Sequence, residues 1–172
     1  MDADLAKMIR DVPDFPVPGI LFRDITTLLK QGSAFTATID RLTDQLRDLK
    51  PDKVVAIESR GFIFGAPIAY KLGVGFVPVR KLGKLPAETI NAEYDLEYGS
   101  NTVEMHRDAI ASGERVVIVD DLLATGGTTR ATIELVERLD GEVVALAFLI
   151  ELTDLAARDY LEGYNIITLI RY

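Results

Sequence analysis

The feature that most constrains the fold is a series of short apolar runs separated by segments with helical periodicity. The runs lie at residues 54–57, 75–79, 116–119 and 143–150. Strands that are apolar at successive positions, rather than at alternate ones, are typical of a parallel sheet whose two faces are both covered. The pattern therefore predicts an α/β fold with a central, mostly parallel sheet and helices on both faces.

Helices are predicted between these strands from apolar residues spaced three and four positions apart. Residues 35–49 show this spacing before Pro51, residues 62–72 form a segment closed by Gly73, and residues 128–139 follow the third apolar run. A last helix and a last strand are predicted to close the chain.

The beginning of the chain follows a different pattern. A short amphipathic helix is predicted over residues 5–9, with Asp2 or Asp4 as its N-cap. Three prolines and a glycine within residues 13–19 then predict irregular structure up to about Thr27.

Length and composition favour one folded domain over residues 1–172. The absence of cysteine excludes disulfides, thiol catalysis and cysteine metal sites. Residues 1–10 lack the order of a secretion signal, and the apolar run at 143–150 is shorter than the roughly 20 residues of a membrane span, so we expect a cytoplasmic protein that does not bind membranes. The formal net charge of -8 argues against general binding to nucleic acids.

The most informative stretch starts at the third apolar run, which leads into Asp120 and Asp121 and then into Ala-Thr-Gly-Gly-Thr-Thr at residues 124–129. Glycines allow backbone N–H groups to close around an anion, and a helix N-terminus adds unpaired donors and a partial positive charge. Successive side chains of a strand point in opposite directions, so the two acids are expected to have different roles. Carboxylates accept hydrogen bonds from vicinal hydroxyls, and the stretch therefore predicts a site for a sugar phosphate such as ribose 5-phosphate.

Simpler interpretations of the same stretch remain open. Gly126 and Gly127 could form a tight turn while the acids cap the helix. A site for a nucleoside triphosphate is the weaker alternative because the stretch lacks the lysine of a P-loop. A phospho-acceptor receiver domain would use Asp120 and Asp121, but it would leave the threonine-glycine loop and Arg60 without a role.

The stretch closely resembles the phosphoribosyl pyrophosphate motif of type I phosphoribosyltransferases. The resemblance implies a core of that type with an N-terminal hood and a flexible hairpin arm. It also implies that Asp120 and Asp121 bind the ribose hydroxyls, partly through Mg²⁺ that is held mainly by substrate and water and has no direct protein ligand. The residues that would bind the 5-phosphate are Ala124, Thr125, Gly126, Gly127 and Thr128.

Residues 15–25, Phe-Pro-Val-Pro-Gly-Ile-Leu-Phe-Arg-Asp-Ile, resemble the base-binding hood of the adenine phosphoribosyltransferases. By that resemblance Phe22 stacks on adenine, and backbone groups at Leu21 and Arg23 bind its Watson–Crick edge. A backbone N–H and C=O can match a ring nitrogen and an exocyclic amine without a charged side chain. The alternative is that Phe22 is an ordinary core residue and the prolines only shape a loop.

Residues 58–61, Glu-Ser-Arg-Gly, resemble the pyrophosphate loop of the family. The planar guanidinium of Arg60 suits a phosphate group, and Gly61 frees the backbone to turn its amides toward an anion. The resemblance assigns Ser59 and Arg60 to pyrophosphate and implies a cis peptide bond between them. A surface arginine in a turn is the alternative.

Arg80, Lys81 and Lys84 place three cations within five residues of an acidic chain. The resemblance assigns all three to the leaving pyrophosphate. It also implies that one basic residue reaches a neighbouring subunit and that the protein is a homodimer. The alternative is a solvated loop, because residues 80–92 are polar and predicted to be irregular.

Two strands of a hairpin arm are predicted near residues 93–97 and 102–106. Residues 94–99, Tyr-Asp-Leu-Glu-Tyr-Gly, resemble the mobile arm of the family. The resemblance makes Glu97 the group that exchanges a proton with the imidazole edge of the purine, and gives Tyr98 a positioning and shielding role. An ordinary exposed hairpin is the alternative.

Glu104 is a weaker candidate for an acid, and His106, the only histidine, is predicted to be structural. Together the resemblances imply an enzyme of purine salvage that transfers the 5-phosphoribosyl group from phosphoribosyl pyrophosphate to adenine, giving AMP and pyrophosphate. Transfer to hypoxanthine, guanine or xanthine is an alternative. A regulator that only senses phosphoribosyl pyrophosphate is a weaker one, because the chain shows no helix-turn-helix or basic extension.

Overall fold

The computed structural model describes residues 4–95 and 99–172, which group into two compact units. The first unit runs to Arg41 and the second runs from Leu42 to Tyr172. No helix in the described part of the chain is both long enough and apolar enough to cross a membrane.

In the first unit a hairpin replaces the irregular segment that the prolines predicted. The elements are a 3₁₀ helix (Leu5–Met8), strands β1 (Arg10–Pro13) and β2 (Leu21–Asp24), helix α1 (Thr26–Leu29) and the start of helix α2 (Gly32–Arg47). Two cross-strand ion pairs stabilise the hairpin, Arg10 with Asp24 and Arg23 with Asp11. The prediction was wrong because proline is excluded from central strands but tolerated in a strand whose edge is open.

The opening helix is also shorter than predicted, at four residues of 3₁₀ geometry. Asp4 makes no capping hydrogen bond with its side chain. Its carboxylate pairs instead with Lys7 at 3.0 Å, which explains why the expected cap is missing. Asp2, the other expected cap, lies outside the described residues.

The second unit is built around a seven-stranded sheet. The strands are β3 (Lys53–Ile57), β4 (Gly75–Lys81), β5 (Thr89–Asp95), β6 (Ser100–His106), β7 (Arg115–Leu123), β8 (Glu142–Glu151) and β9 (Ile166–Arg171). The helices are α3 (Arg60–Leu72), α4 (Gly127–Arg138) and α5 (Ala157–Tyr160), with a 3₁₀ turn at Thr153–Leu155. The strand order is β5-β6-β4-β3-β7-β8-β9.

Neighbouring strands from β4 to β9 in this order are parallel, whereas β6 pairs in antiparallel fashion with β4 on one side and with β5 on the other. The predicted α/β fold with a mostly parallel sheet is confirmed. From the centre, α3 connects β3 to β4 in one direction and α4 connects β7 to β8 in the other. Because such crossovers are right-handed, opposite directions place the two helices on opposite faces of the sheet.

The apolar runs are buried as the continuous pattern predicts. Residues 116–119 of β7 are fully buried, and burial of each such side chain contributes about 1.5–3 kcal/mol relative to leaving it exposed. Helix α3 approaches β3 closely at Gly65, where an added Cβ would lie 2.5 Å from the Cβ of Ala56. A glycine is therefore required where this helix crosses the sheet.

Two strands end farther along the chain than predicted, and both carry candidate site residues. β7 continues through Asp120 and Asp121 because its ladder with β8 extends to Leu123, after the ladder with β3 has ended at Val119. β4 continues to Lys81 because it pairs there with β6. The interval predicted to be irregular therefore contains the end of β4 and the start of β5.

Candidate active site

A cavity of about 420 Å³ lies at the carboxyl ends of β3 and β7, where the order of connections in the sheet reverses. Open α/β sheets bind their ligands at such a point. The cavity brings together the acidic pair, part of the glycine loop, the segment after β3 and one of the three cations. Its lining consists of Ile57, Glu58, Ser59, Arg60, Lys81, Tyr94, Val103, Asp120, Asp121 and Thr128.

The two acids have different partners within this cavity. Asp121 is 6% exposed, and its Oδ2 accepts a hydrogen bond from Arg60 Nε at 2.7 Å. Asp120 is less deeply buried, and its Oδ1 accepts the backbone N–H of Asp121 at 2.9 Å. Adjacent positions of one strand therefore hold carboxylates in different electrostatic environments.

Both carboxyls are harder to ionise here than in water. Burial raises the pKa of Asp120 well above its ordinary value, and the neighbouring charge of Asp121 raises it further. Burial also raises the pKa of Asp121, although the Arg60 guanidinium opposes that change. Two closely spaced carboxyls with raised pKa values are suited to binding hydroxyl donors or a cation, because either would offset the cost of their charges.

Gly61, in the first turn of α3, lies directly against β7. An added Cβ would lie 2.8 Å from Asp120 Oδ1 and 3.0 Å from the carbonyl oxygen of Val119. Only glycine therefore lets the segment after β3 approach the acids this closely. The sequence interpretation gave Gly61 a different task, that of turning amides toward an anion, whereas close packing already accounts for it.

The loop between β7 and α4 has the form expected of a phosphate-binding site. Gly126 precedes α4 with φ +89°, a left-handed conformation that favours glycine. Within residues 4–95 and 99–172, the backbone N–H groups of Thr125, Gly126, Gly127 and Thr128 have no protein acceptor. These donors lie where the helix dipole is positive, so they are available to an anion.

Glu58 fixes the end of β4 beside the cavity. Its Oε2 accepts a hydrogen bond from Arg80 Nε at 2.8 Å, and its Oε1 accepts the backbone N–H of Lys81 at 2.8 Å. Burial opposes ionisation of Glu58, but the Lys81 N–H and the Arg80 guanidinium outweigh it and hold the pKa below its usual range. Lys81 lines the cavity, whereas Arg80 and Lys84 do not.

Glu104 is an anchor for the loop between β4 and β5 rather than a proton donor. It is 3% exposed, and its Oε1 accepts the backbone N–H groups of Lys84 and Leu85, each at 2.8 Å. It does not line the cavity. These donors occupy Oε1, which argues against the acid role that the sequence suggested for Glu104. His106, at the end of β6, also lies outside the cavity lining, and its Nε2 is buried without a hydrogen-bond partner in the described residues.

The cis peptide bond lies one residue earlier than predicted. It joins Glu58 to Ser59, rather than Ser59 to Arg60. Ser59 already has right-handed helical angles (φ -105°, ψ -30°) as the residue that precedes α3. The Ser59–Arg60 peptide lies at the start of the helix and is trans.

The residues predicted to bind adenine lie on β2 of the first unit. Phe22 is partly exposed rather than a core residue, and its ring meets that of Phe15 edge to face at a centroid distance of 5.1 Å. Leu21 is 47% exposed, and Arg23 pairs with Asp11. Glu97 and Tyr98, the residues predicted to be catalytic, lie outside the described residues.

Metal-binding side chains do not cluster in the part of the chain that is described. Within residues 4–95 and 99–172, no group of three or more Asp, Glu or His side chains could hold a metal ion. A cation at Asp120 and Asp121 would need further ligands from a substrate or from water.

Comparison with known proteins identifies the class that this fold and site define. Residues 26–168 match the family model of the phosphoribosyl transferase domain. The chain is 61% identical, over 98% of its length and 99% of the relative's, to the adenine phosphoribosyltransferase of Carboxydothermus hydrogenoformans. It is 55% identical to that of Halothermothrix orenii, over 98% of the chain and 99% of the relative.

Solved structures agree with these relatives. The crystal structure of adenine phosphoribosyltransferase from Thermoanaerobacter pseudethanolicus matches with a TM-score of 0.96 and 57% identity, over 98% of each chain. The Saccharomyces cerevisiae enzyme, complexed with an imino-altritol bisphosphate and adenine, matches with a TM-score of 0.90 and 42% identity, over 96% of each chain. The chain therefore belongs to the adenine phosphoribosyltransferase family, and the resemblance inferred from its motifs is confirmed.

Two carboxylates hold the basic segment, and the residue pattern did not predict this role for either. The pattern gives Glu58 no role and makes Glu104 only a candidate acid. The available signal was their position: Glu58 directly follows the apolar run at residues 54–57, and Glu104 lies between Val103 and Met105. Tyr94 was also missed, although it lines the cavity and lies 3.3 Å from the position of a Cβ added at Gly127.

Proposed function

We propose that this chain is a single phosphoribosyltransferase domain that transfers the 5-phosphoribosyl group from phosphoribosyl pyrophosphate to adenine, giving AMP and pyrophosphate for purine salvage. The observation that carries the proposal is the set of amides at residues 125–128 that have no acceptor among the described residues, beside the buried Asp121 and the half-buried Asp120. A sugar that carries a phosphate and a vicinal diol matches both parts. High identity to adenine phosphoribosyltransferases supports the choice of adenine.

The proposed ribose phosphate site combines the end of β7 with the start of α4. Asp120 and Asp121 accept hydrogen bonds from the ribose hydroxyls. The 5-phosphate is bound by the loop that precedes α4 and by its first turn. The residues of this loop and turn are Ala124, Thr125, Gly126, Gly127 and Thr128.

The proposed pyrophosphate site is formed by the segment after β3, by the end of β4 and by the loop that follows β4. Ser59, Arg60 and Lys81 line the cavity, which supports their roles. Arg80 and Lys84 are assigned to pyrophosphate as well, and one of the basic residues is proposed to act on the neighbouring subunit of a homodimer.

Exposed apolar side chains of the second unit support the homodimer. Ile63 and Tyr70 are spaced seven residues apart on one face of α3, and Tyr70 is 86% exposed. Phe76 and Leu82 are exposed on and after the neighbouring strand. A monomer would leave these side chains in contact with water, whereas a second copy packed against them would cover them.

Mg²⁺ is the proposed cofactor, and the acidic pair fits it. A cation near Asp120 and Asp121 would offset the charges whose burial raises their pKa values. Mg²⁺ binds few protein ligands and keeps several waters, and when bound it would neutralise charge on the pyrophosphate. We retain the cytoplasmic location as part of the proposal.

The residues of this chain would act mainly by positioning and by electrostatics. Displacement at the anomeric carbon passes through an oxocarbenium-like state, which the carboxylates of Asp120 and Asp121 would stabilise from beside the ribose. Arg60 and Lys81 would stabilise charge that develops on the departing pyrophosphate. The hood residues Leu21, Phe22 and Arg23 are proposed to hold adenine, and Glu97 to exchange its imidazole proton, with Tyr98 beside it.

The function is tested by incubating purified protein with phosphoribosyl pyrophosphate, Mg²⁺ and one purine at a time. We expect AMP and pyrophosphate from adenine, and far less nucleotide from hypoxanthine, guanine or xanthine. Faster turnover of hypoxanthine than of adenine would contradict the base assignment. Binding of phosphoribosyl pyrophosphate without turnover of any base would favour a sensor.

Replacing Glu97 with glutamine tests the proposed proton transfer. We expect kcat to fall by roughly 10²-fold, because a general acid or base contributes about that much or more, while the Kd of AMP changes little. Steady-state kinetics and calorimetric titration measure the two quantities. Asp95→Asn, an exposed acid on the same arm, is the matched control and should retain activity. An equal loss in both variants would argue for a general effect of charge on the arm.

A further inference from the structure

Glu104 is a buried carboxylate on β6 that faces the loop between β4 and β5. It is 3% exposed and lies opposite Arg80 of β4 and Asn91 of β5 in the sheet register. A carboxylate in such a position is destabilising unless donors satisfy it. The structure supplies those donors from the loop itself.

Backbone N–H groups of the loop and one hydroxyl converge on this side chain. Oε1 accepts the backbone N–H groups of Lys84 and Leu85 at 2.8 Å each, and Oε2 lies 3.3 Å from the hydroxyl of Thr89. Burial opposes ionisation, but the backbone donors of Leu85, Gly83 and Lys84 outweigh it, and the pKa of Glu104 is below its usual range. The carboxylate is therefore charged, and its hydrogen bonds are of the stronger, charge-assisted kind.

Carboxylates hold this loop at its start and in its middle. Glu58 binds Arg80 and the backbone of Lys81 at its start, and Glu104 binds the backbone of Lys84 in its middle. Without these contacts the seven-residue connection at 82–88 would sample many conformations, and ordering it on ligand binding would reduce affinity. With them, the backbone that carries the cations is arranged in advance.

From this geometry we propose that Glu104 is a positioning residue for pyrophosphate binding: its carboxylate holds the backbone of residues 83–85 so that Lys81 and Lys84 are presented in a defined arrangement. The inference rests on the proposed function, which assigns those lysines to pyrophosphate. Glu104 itself contacts no substrate, and it acts only through the loop.

The test compares Glu104→Gln with Glu151→Gln. Glutamine has nearly the shape of glutamate, but it offers one acceptor oxygen and turns an NH₂ group toward backbone donors. We expect the KM for phosphoribosyl pyrophosphate to rise about tenfold in Glu104→Gln, with the KM for adenine and kcat changed less than about twofold. Hydrogen exchange at the amides of Lys84 and Leu85 should accelerate.

Glu151 is the matched control because it is also 3% exposed and also satisfied by hydrogen bonds, from Arg158 and Thr168, at the end of β8. Its glutamine variant should lose stability without a selective rise in the KM for phosphoribosyl pyrophosphate. An equal rise in both variants would overturn the proposal, as would unchanged KM and unchanged exchange in Glu104→Gln. If Glu104→Gln does not fold, Thr89→Val, which removes one donor, should give a smaller rise in the same KM.

The inference can fail separately from the proposed function. If the wild type makes AMP from adenine but Lys81→Ala and Lys84→Ala leave the KM for phosphoribosyl pyrophosphate unchanged, the assignment of the loop to pyrophosphate is wrong. If the lysine variants raise that KM and Glu104→Gln does not, the enzyme is as proposed and the positioning role of Glu104 is wrong.

Discussion

In the Asp120→Asn variant we expect kcat/KM for phosphoribosyl pyrophosphate to fall by roughly 10²–10³-fold while the melting temperature rises. Activity falls because the carboxylate that would face the ribose loses its charge. Stability rises because burial and the charge of Asp121 make ionised Asp120 unfavourable in the folded protein. Asparagine keeps the acceptor oxygen for the backbone N–H of Asp121.

The gain in stability should depend on pH in a defined direction. A carboxyl whose pKa is raised on folding stabilises the protein below its unfolded pKa, and that contribution is lost as the pH rises through the folded pKa. The unfolded value is 3.8. The variant and the wild type should therefore melt together near that pH and separate as the pH increases, by about 2–4 °C for each kcal/mol.

Calorimetry from about pH 4 to pH 8, without substrate or Mg²⁺, measures this difference. Asp121→Asn should raise the melting temperature less than Asp120→Asn does, because Arg60 already compensates part of the charge on Asp121. Asp44→Asn, at an exposed position of α2, should change neither the melting temperature nor kcat/KM. A lower melting temperature for Asp120→Asn with activity retained would contradict the assignment of this residue to the ribose.

Gly61→Ala is expected to lower the stability of the protein by about 1–3 kcal/mol, because it forces an extra carbon into a packed contact. The new Cβ would lie 2.8 Å from Asp120 Oδ1 and 3.0 Å from the carbonyl oxygen of Val119. The carbonyl is part of the β7 backbone and cannot turn away, so the side chain of Asp120 and the start of α3 must shift. We therefore expect a loss of transfer activity in the protein that remains folded.

Two other glycine variants distinguish a loss of packing from a loss of geometry at the candidate active site. In Gly65→Ala the new Cβ would lie 2.5 Å from the Cβ of Ala56, so this variant should be destabilised as much as Gly61→Ala. Gly65 lies one helical turn after Gly61, away from the contact with Asp120, so the Gly65 variant should preserve more activity. Gly32→Ala has open space in α2 and should be neutral or slightly stabilising. Thermal melting and kinetics at low temperature measure both effects. Equal activity of the Gly61 and Gly65 variants at matched folded fraction would contradict the role of Gly61.

Much of the second unit was predictable because its signals are local. The run at residues 116–119 predicted β7, and the Gly73 that ends α3 has the left-handed angles expected of a helix C-terminus. The glycine loop before α4 was predictable for the same reason: the residue types that leave amides unpaired are adjacent in sequence.

Errors arose where pairing with distant strands decided the outcome. β7 extends past Val119 and β4 extends to Lys81 because neighbouring strands continue there, which no local pattern reveals. The N-terminal hairpin was predicted as irregular because prolines hide a strand whose edge is open. The roles of Glu58 and Glu104 depend on backbone donors that lie more than fifteen residues away.

The sequence by itself determined the α/β class, the positions of the apolar strands and the motif by which the family was inferred, because these depend on residues that are neighbours along the chain. Only the tertiary structure decided that Arg60 pairs with Asp121, that Gly61 packs against Asp120 and that the carboxylates of Glu58 and Glu104 hold the segment that carries the cations. The contacts of Arg60 and Gly61 arise because parallel pairing brings the carboxyl ends of β3 and β7 to one edge of the sheet. Glu104 reaches the loop because β6 pairs with β4 in antiparallel fashion, and its burial makes an unpaired charge unfavourable.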